Sequence, residues 1–357
     1  MATAAYIYDA VRTPRSKGKL GGALNEVKPV DLAAGLLKGL SDRHDLDTSR
    51  VGDVIMGCVA PLMDQGSCIT KSAVQVAGWD ECVPGFQLDR FCASGLEAVN
   101  LAAARVGSGQ EDLVVAGGLE AMSRVPIGSS GGPIFADVDF VLDQRSISQG
   151  VGADLIAALD GYSREDVDRY AIESQRRAGH ARDSGWFDRS VMPVKDRNGQ
   201  IILERDDFIR PDTDMETLGA LKPSFEVVGK AGFDEMAISR YPQVLRIDHI
   251  HTPGNSSGIV DGASAVLVGN EQVGRDLGLT PRGRVVATAV LATDPRIMVA
   301  GTGPAAKKWL AKAGMTESDI DLWEINEAFA SVAMRYMKDL GVTHEVTNVN
   351  GGAIAMG

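Results

Sequence analysis

Two short apolar stretches in the first third of the chain decide the fold: Val51-Gly-Asp-Val-Ile-Met-Gly-Cys-Val59 and Leu113-Val-Val-Ala-Gly-Gly118. Each is typical of a buried strand. Between them runs an apolar series with three- and four-residue spacing: Cys92, Leu96, Val99, Ala103 and Val106. This spacing predicts a helix that begins at or just before Cys92. A strand, a helix and a strand in this order predict an α/β layer architecture.

The second half of the chain repeats these signals. Apolar alternation occurs again at Gly262–Val268 and Arg284–Ala289. Further strand candidates are Ile320–Ile325 and Glu345–Val349. Between the last two lies an amphipathic helix with Gly341 as its C′ residue, and its apolar face consists of Phe329, Val332, Ala333, Tyr336, Met337 and Leu340. This βαβ order implies parallel pairing through a right-handed crossover.

The middle of the chain differs in composition. Residues 122–251 contain the glycine-rich Gly128–Pro133, many charged residues and a helical pattern over Arg164–Arg182. We therefore expect three parts: an N-terminal core half over 1–121, completed by about 252–275; an inserted, more exposed loop domain over 122–251; and a C-terminal core half over 276–357.

Composition excludes several classes of protein. The 357 residues carry 36 basic and 48 acidic side chains, a net charge of -12, with no long basic run. This argues against nucleic acid or an anionic membrane as the main partner. The four cysteines fit neither a zinc site nor a dense disulfide framework, so we expect no metal and a reducing, cytoplasmic location. The first residues lack the pattern of a signal peptide, and no apolar run is long enough to span a bilayer.

Cys92 is the candidate nucleophile. It stands at the predicted start of a helix, where unpaired backbone N–H groups and the helix dipole favour a thiolate. The alternative is a cysteine that serves only as a small buried hydrophobe, which is the commoner case.

Four ordered motifs favour the catalytic role: Gly117-Gly-Leu-Glu-Ala-Met-Ser123, Gly254-Asn-Ser-Ser-Gly-Ile-Val-Asp-Gly-Ala263, Asn326-Glu-Ala-Phe-Ala330 and Asn348-Val-Asn-Gly-Gly-Ala353. Together with Phe91-Cys-Ala-Ser94 they resemble the thiolases, and the resemblance spans nearly the whole chain. It implies a thiolase-like α/β fold with two related βαβαβ core halves, layered α/β/α/β/α, and an inserted loop domain.

The resemblance also implies an activity: acyl transfer through an acyl-Cys92 intermediate. A 3-oxoacyl-CoA is cleaved by CoA to acetyl-CoA and a shortened acyl-CoA, or acetyl-CoA condenses in the reverse direction. Asn326 matches the asparagine that orients a water at the thioester oxygen. It is equally suited to cap the following helix. Glu327 has two interpretations, as a proton donor or as an acid that complements the helix dipole.

The coenzyme A site is carried over in the same way. The positions that match the family's nucleotide and pantetheine tunnel are Arg210, Thr217, Phe225, Ser257, Ala328 and Phe329. Arg210 would hold an anionic nucleotide or stack on its base, although an exposed loop arginine is the simpler interpretation. The resemblance implies no permanently bound cofactor, with CoA and acyl-CoA as the small-molecule partners. It further implies a homodimer or homotetramer and a place in fatty acid β-oxidation, where a partner enzyme is possible.

Two departures from the family pattern stand out. Thiolases continue after the Met356-Gly357 position with a catalytic His-Pro and a later proton-shuttling cysteine, so the chain is expected to be an incomplete thiolase with exposed apolar surface. None of its five histidines stands in a matching motif, and each is expected at the surface or in a loop. Glu226–His251 is also longer than in short-chain biosynthetic thiolases, which favours a degradative enzyme.

Two alternatives therefore remain open. One is a catalytically impaired thiolase-like protein that binds CoA esters or acts as a scaffold. The other is a different condensing enzyme of the same fold, against which Asn326–Phe329 and Asn348–Gly352 argue.

Overall fold

The computed structural model describes residues 3–357, which form two compact units. Unit 1 comprises residues up to Ser130 with Trp186–Asp207 and Ile259–Val286, and unit 2 comprises Gly131–Gly185, Phe208–Gly258 and Ala287–Gly357. The residues of the predicted loop domain, 122–251, are distributed over both units. The three-part division drawn from the sequence follows different limits and stays a prediction.

The strands among the described residues are β1 (Tyr6–Arg12), β2 (Ser16–Lys17), β3 (Asp53–Gly57), β4 (Phe86–Leu88), β5 (Leu113–Ala121), β6 (Val194–Lys195), β7 (Ile201–Leu203), β8 (Val260–Gly269) and β9 (Gly283–Arg284).

The α-helices are α1 (Pro29–His44), α2 (Ile69–Val76), α3 (Ser94–Ser108), α4 (Pro133–Ala136), α5 (Val138–Gln144), α6 (Gln149–Asp160), α7 (Arg164–Asp183), α8 (Met215–Gly219), α9 (Glu226–Val228), α10 (Asp234–Ile238), α11 (Glu271–Asp276), α12 (Thr302–Ala313), α13 (Ala330–Leu340) and α14 (Ala353–Met356). Short 3₁₀ turns occupy Thr48–Arg50, Met63–Gln65, Glu317–Asp319 and His344–Val346, and a π-helical turn spans Gly229–Phe233.

Unit 1 is built on a mixed sheet with strand order β4-β3-β5-β8-β1-β9, and β2 pairs with β8. The strands β3, β4 and β5 are parallel, whereas β8 is antiparallel to both β5 and β1. The strands predicted at Val51–Val59, Leu113–Gly118 and Gly262–Val268 are confirmed. Short apolar runs bounded by glycines indicate strands from the local sequence alone, without knowledge of tertiary contacts.

The sheet of unit 1 is buried on both faces. Side chains alternate along a strand, so Val54 and Met56 of β3 pack with α1 and α2, while Ile55 packs with α3. The strand β5 alternates in the same way, with Val115 on one face and Val114 on the other. Strands that are covered on both faces read as continuous apolar runs, which is why β3 and β5 stand out in the sequence.

The helix α3 begins at Ser94, two residues after Cys92. Its buried face is carried by Ala98, Ala102 and Val106, whereas Leu96 is 66% exposed. The predicted apolar face was therefore wrong at Cys92 and Leu96. Small side chains on the buried face allow the helix to approach the sheet closely, and this face is easily overlooked when large apolar residues are counted.

Three strand predictions in the second half are wrong. Arg284–Ala289 contributes only Arg284 to β9, and Val286 is 57% exposed. Ile320–Ile325 and Glu345–Val349 meet only at a parallel bridge between Trp323 and Thr347. A strand needs a continuous ladder of backbone hydrogen bonds, and a single bridge does not provide one.

Unit 2 is helical around α6, α7 and α13. Residues Gly150–Ala157 of α6 are buried without exception, as expected for a helix at the centre of a unit. The long helix predicted at Arg164–Arg182 is confirmed as α7, which opens with a capping box formed by Ser163 and Asp166. The predicted amphipathic helix is confirmed as α13, and Gly341 ends it with φ of 67°.

Candidate active site

Cys92 lies in unit 1, in a tight turn between β4 and α3. Phe91 adopts a left-handed conformation with φ of 49°, which is unusual for a side chain of this size. Hydrogen bonds hold the turn: Asp89 Oδ1 accepts from the Phe91 N–H at 2.7 Å, and Ser94 Oγ accepts from the Arg90 N–H at 2.7 Å. Strained backbone maintained by such contacts is typical of functional turns.

Glycine brings this turn close to the sheet. A Cβ at Gly57 of β3 would lie 2.5 Å from the Ser94 carbonyl carbon and 2.6 Å from the Gly95 nitrogen. Any larger residue at position 57 would push the start of α3 away. The position of Cys92 therefore depends on a glycine at the end of β3.

The electrostatics of Cys92 oppose the predicted thiolate. The residue keeps exposed surface, yet the surrounding protein displaces enough water from the sulfur that burial raises the pKa of the thiol above 9.0. The negative charges of Asp89 and Glu120 raise this pKa further, and a backbone hydrogen bond lowers it only in part. Burial and these two charges therefore oppose the thiolate that was predicted at the start of the helix, where Cys92 lies just before the N-cap Ala93.

The other predicted site residues lie in unit 2, on loops and on the short helix α8, and polar side chains of α7 hold these segments. Arg164 donates to the carbonyls of Leu218 and Leu221 at 2.5 and 3.2 Å, which fixes the end of α8 and the turn after it. Asp168 Oδ1 accepts from Asn255 Nδ2 at 2.7 Å. Three more α7 side chains reach further loops: Gln175 accepts from the Arg210 N–H, Ser174 donates to Glu327, and Arg177 donates to the carbonyls of His344 and Thr347.

The segment around Asn326 was predicted to open a helix, but α13 begins only at Ala330, with Phe329 as N-cap. Asn326 is therefore not a helix cap, and Glu327 does not belong to the first helical turn. Asn326 is exposed, and its carboxamide has no hydrogen-bond partner within residues 3–357. Glu327, in contrast, is completely buried.

Four of the six predicted coenzyme A residues come together in unit 2. The Ser257 N–H donates to the Ala328 carbonyl at 3.0 Å, and Ser256 forms a bridge with Phe329. Phe225 meets Phe329 edge to face, with ring centroids 5.7 Å apart. The resulting surface combines two aromatic rings with a glycine-rich turn, which suits a thin, partly apolar ligand.

Arg210 and Thr217 flank this group. The Arg210 guanidinium lies 5.6 Å from the centroid of the Phe208 ring, and that ring packs where a Cβ on Gly258 would stand, 2.4 Å from Phe208 Cε1. Thr217 is exposed on α8, where its N–H donates to the Asp214 side chain at 2.7 Å. An exposed guanidinium on an aromatic ring is suited to an anionic or aromatic group.

Family models match residues 5–232 as "Thiolase, N-terminal domain" and residues 279–357 as "Thiolase, C-terminal domain". The chain belongs to the thiolase family. Its activity is accordingly thiolytic acyl transfer, and the enzyme class and the thiolase-like α/β fold are as predicted.

Individual relatives agree with this assignment. A 3-ketoacyl-CoA thiolase of Cronobacter sakazakii is 36% identical over 98% of this chain and 87% of its own length. A protein of the same name from Klebsiella pneumoniae subsp. pneumoniae is 37% identical with the same coverage. The crystal structure of the Bacillus anthracis acetyl-CoA acetyltransferase matches with a TM-score of 0.84 and 31% identity, over 100% of this chain and 88% of that one.

Two histidines that were expected at the surface or in a loop, His249 and His251, lie in the irregular segment before β8. Their side chains are nevertheless buried and hydrogen-bond through Nδ1 to Asp154, at 2.7 and 2.6 Å. Asp154 also accepts from the N–H groups of Ile250 and His251. His251 in turn meets the Phe329 ring edge to face at 5.4 Å. The only local signal is the His-Ile-His spacing, which points both imidazoles to one side of an extended segment.

His344, also expected at the surface or in a loop, opens the 3₁₀ turn His344–Val346. It stacks on Tyr170 with ring centroids 4.5 Å apart, and burial lowers the pKa of its imidazole to about 4. The charge of Arg177 acts in the same direction. No cluster of three or more metal-ligating side chains occurs in the described part of the chain, and none of its helices has the length and apolarity to cross a membrane.

Proposed function

We propose that the chain cleaves 3-oxoacyl-CoA with coenzyme A through an acyl-Cys92 intermediate. The sulfur attacks the 3-oxo carbon, the C2–C3 bond breaks, and its electron pair goes to C2, which takes a proton as acetyl-CoA leaves. The thiol of free CoA then attacks the acyl group and releases Cys92. The single observation that carries the proposal is the turn Asp89–Ser94. It holds Cys92 in front of a helix and directly after Phe91, whose backbone is strained.

The raised pKa of Cys92 requires a base. Because burial favours the neutral thiol, attack needs a group that accepts the proton as the carbon–sulfur bond forms. The sequence ranges of unit 1 contain one histidine, His44, and this residue is engaged with Asp9 at 2.8 Å. By the family resemblance the proton acceptor would be the histidine of a His-Pro motif, which none of the five histidines of the chain matches.

The proposal assigns Asn326 to the thioester oxygen of the substrate. Support comes from its exposed carboxamide, which makes no hydrogen bond within the described residues and so can donate to a water or an oxyanion. Phe225, Ser257, Ala328 and Phe329 would line the pantetheine arm. Their mutual contacts, described above, support this role.

For the nucleotide end of the ligand, the proposal uses Arg210 and Thr217. Arg210 on the Phe208 ring presents a cation in a chain whose net charge is -12, where local positive charge is needed to hold phosphates. Assembly as a homodimer or homotetramer, and a degradative role beside a β-oxidation partner enzyme, complete the proposal. The 3-ketoacyl-CoA thiolase names of the relatives support the degradative direction.

Intact-mass spectrometry tests the chemistry. The chain is incubated with a 3-oxoacyl-CoA, without free CoA, and the adduct is mapped by peptide sequencing. We expect one acyl group on Cys92 in the wild type and none in C92S, while C68S, a matched change at another exposed cysteine, acylates normally. Saturable binding of the CoA ester with no adduct would refute the catalytic proposal and identify a CoA-ester binding protein.

A further inference from the structure

Glu327 is a buried carboxylate that the reaction scheme does not use. Its side chain is completely buried, and no cation lies within ion-pair distance among residues 3–357. Four donors reach its two oxygens: Tyr170 Oη at 3.0 Å and Asn348 Nδ2 at 2.8 Å on Oε1, and Ser174 Oγ at 2.6 Å and the Ile354 N–H at 3.0 Å on Oε2. A buried carboxyl without a cation needs such hydrogen bonds, because a buried polar group that lacks partners is costly.

The surroundings of Glu327 offer donors to both of its oxygens. The Asn348 amide and the Ile354 N–H can only donate, whereas the hydroxyls of Tyr170 and Ser174 can donate or accept. Burial and the adjacent charge of Glu327 raise the pKa of the Tyr170 hydroxyl, which keeps that hydroxyl a donor. Glu327 therefore accepts hydrogen bonds on both oxygens and connects the segments that supply them.

The four donors come from two directions. Tyr170 and Ser174 lie one turn apart on α7, while Asn348 and Ile354 belong to the motif near the end of the chain. Glu327 thus ties the segment that contains Asn326 to α7 on one side and to residues 348–354 on the other.

Further hydrogen bonds hold the backbone on both sides of Asn326. The Asn348 carboxamide accepts from the Ile325 N–H at 2.8 Å and donates to the Ile325 carbonyl at 3.0 Å, as a strand neighbour would. On the other side, the Ala328 carbonyl accepts from Ser257. Between these fixed points the carboxamide of Asn326 is exposed, so its direction is set by its neighbours and not by contacts of its own.

The glycines of the last motif make room for this arrangement. A Cβ at Gly352 would stand 2.3 Å from the carboxyl carbon of Glu327. Gly351 has φ of 76°, and a Cβ added there would stand 2.5 Å from the Ser174 carbonyl oxygen. Positions 351 and 352 therefore accept no side chain while Glu327 occupies its place. Two motifs that are about twenty residues apart in the sequence form one packed unit around this carboxylate.

We propose that Glu327 is the positioning residue for Asn326: its four hydrogen bonds hold the 325–328 segment so that the Asn326 carboxamide is presented in one direction to the substrate. This inference rests on the proposed function of Asn326. It predicts that replacing the Glu327 carboxyl slows acyl transfer because the Asn326 carboxamide is displaced, and not because the protein unfolds.

A double-mutant cycle tests the inference. E327Q keeps the shape of the side chain but turns an amide nitrogen toward two donors. We expect kcat to fall about 10- to 100-fold, the cost of misplacing a reacting group by up to an ångström, with KM for CoA changed less than about twofold. In the N326A background the same change should have no further effect, because the residue through which Glu327 acts is already absent. E345Q, a change at an exposed glutamate nearby, is the matched control.

Each outcome decides the question. Equal rate losses from E327Q with and without Asn326 would show general destabilisation and overturn the inference, as would an unchanged kcat in a normally folded E327Q. If the wild type forms no acyl-enzyme, the proposed function fails and hydrogen exchange decides the inference. E327Q must then accelerate exchange at the amides of residues 325–328 while the amides of β3 and β5 are unchanged, and unchanged exchange at 325–328 refutes it.

Discussion

The carboxylate of Asp154 should be among the most important single groups for the stability of unit 2. It is completely buried on α6 and accepts four hydrogen bonds, from the imidazoles of His249 and His251 and from the backbone N–H groups of Ile250 and His251. D154A leaves four donors without a partner. At about 1–3 kcal/mol for each buried donor, and with incomplete additivity, we expect a loss of about 4–8 kcal/mol.

The isosteric change D154N should cost less. An asparagine Oδ1 can keep the three bonds to Ile250 and His251, and its amide can donate to His249 Nδ1 if that imidazole places its proton on Nε2, toward Asp234 Oδ2 at 3.1 Å. What is lost is the negative charge. We therefore expect about 1–3 kcal/mol for D154N.

The cost of D154N should depend on pH. The hydrogen bond to Asp154 raises the pKa of His249 above its ordinary 6.5 against the effect of burial. A raised histidine pKa gives stability that is fully present below pH 6.5 and is lost as pH rises through the folded-state value. Burial tends to raise the pKa of Asp154, but hydrogen bonds from both histidines outweigh it and lower the pKa, so this carboxylate stays ionised throughout the window. D154N should thus lose more stability at pH 6 than at pH 9.

Differential scanning calorimetry measures these losses. For a unit of this size, 1 kcal/mol corresponds to about 2–4 °C, so D154A should lower the midpoint of the unit 2 transition by at least about 8 °C. D248N is the matched control, since Asp248 is next in sequence to His249 but exposed. A D154A midpoint within about 2 °C of the wild type, or a D154N loss that grows from pH 6 to pH 9, would refute the reasoning.

Three further predictions concern the site. Iodoacetamide labelling of Cys92 should still be rising at pH 9, because burial raises the pKa of the thiol, and a midpoint below 9 would contradict this assignment. G352A should lose about 1–3 kcal/mol in urea unfolding because the new Cβ meets the carboxyl of Glu327, whereas G35A, which meets nothing within 4 Å, should lose none. In an NMR titration, the imidazole of His344 should titrate with a midpoint near pH 4, and a midpoint near 6.5 would show that it is not buried.

Much of the fold could be predicted from the sequence because the signals are local. The strands β3, β5 and β8 are short apolar runs, and α7 and α13 carry helical periodicity with recognisable ends. Ordered motifs near Cys92, Asn326 and Asn348 indicated the thiolase family, since they record chemistry in a fixed order along the chain. These features need no knowledge of which segments meet in space.

The roles of individual side chains depended on the tertiary structure. From the sequence, Glu327 was a proton donor or an acid in a first helical turn, and His251 was expected at the surface or in a loop. Folding buried both with hydrogen-bond partners that are up to 157 residues away. The pKa of Cys92 depends on tertiary contacts in the same way: burial and the charges of Asp89 and Glu120 raise it, and a backbone hydrogen bond lowers it only in part.

The sequence alone therefore determined the family, the main strands and helices, and the order of the motifs. The tertiary structure decided which strand candidates pair with another strand, which carboxylates are buried and which histidine side chains are accessible to solvent. The physical reason is that periodicity and capping act between residues a few positions apart, whereas ladder pairing, desolvation and charge interactions sum over every atom that folding brings near.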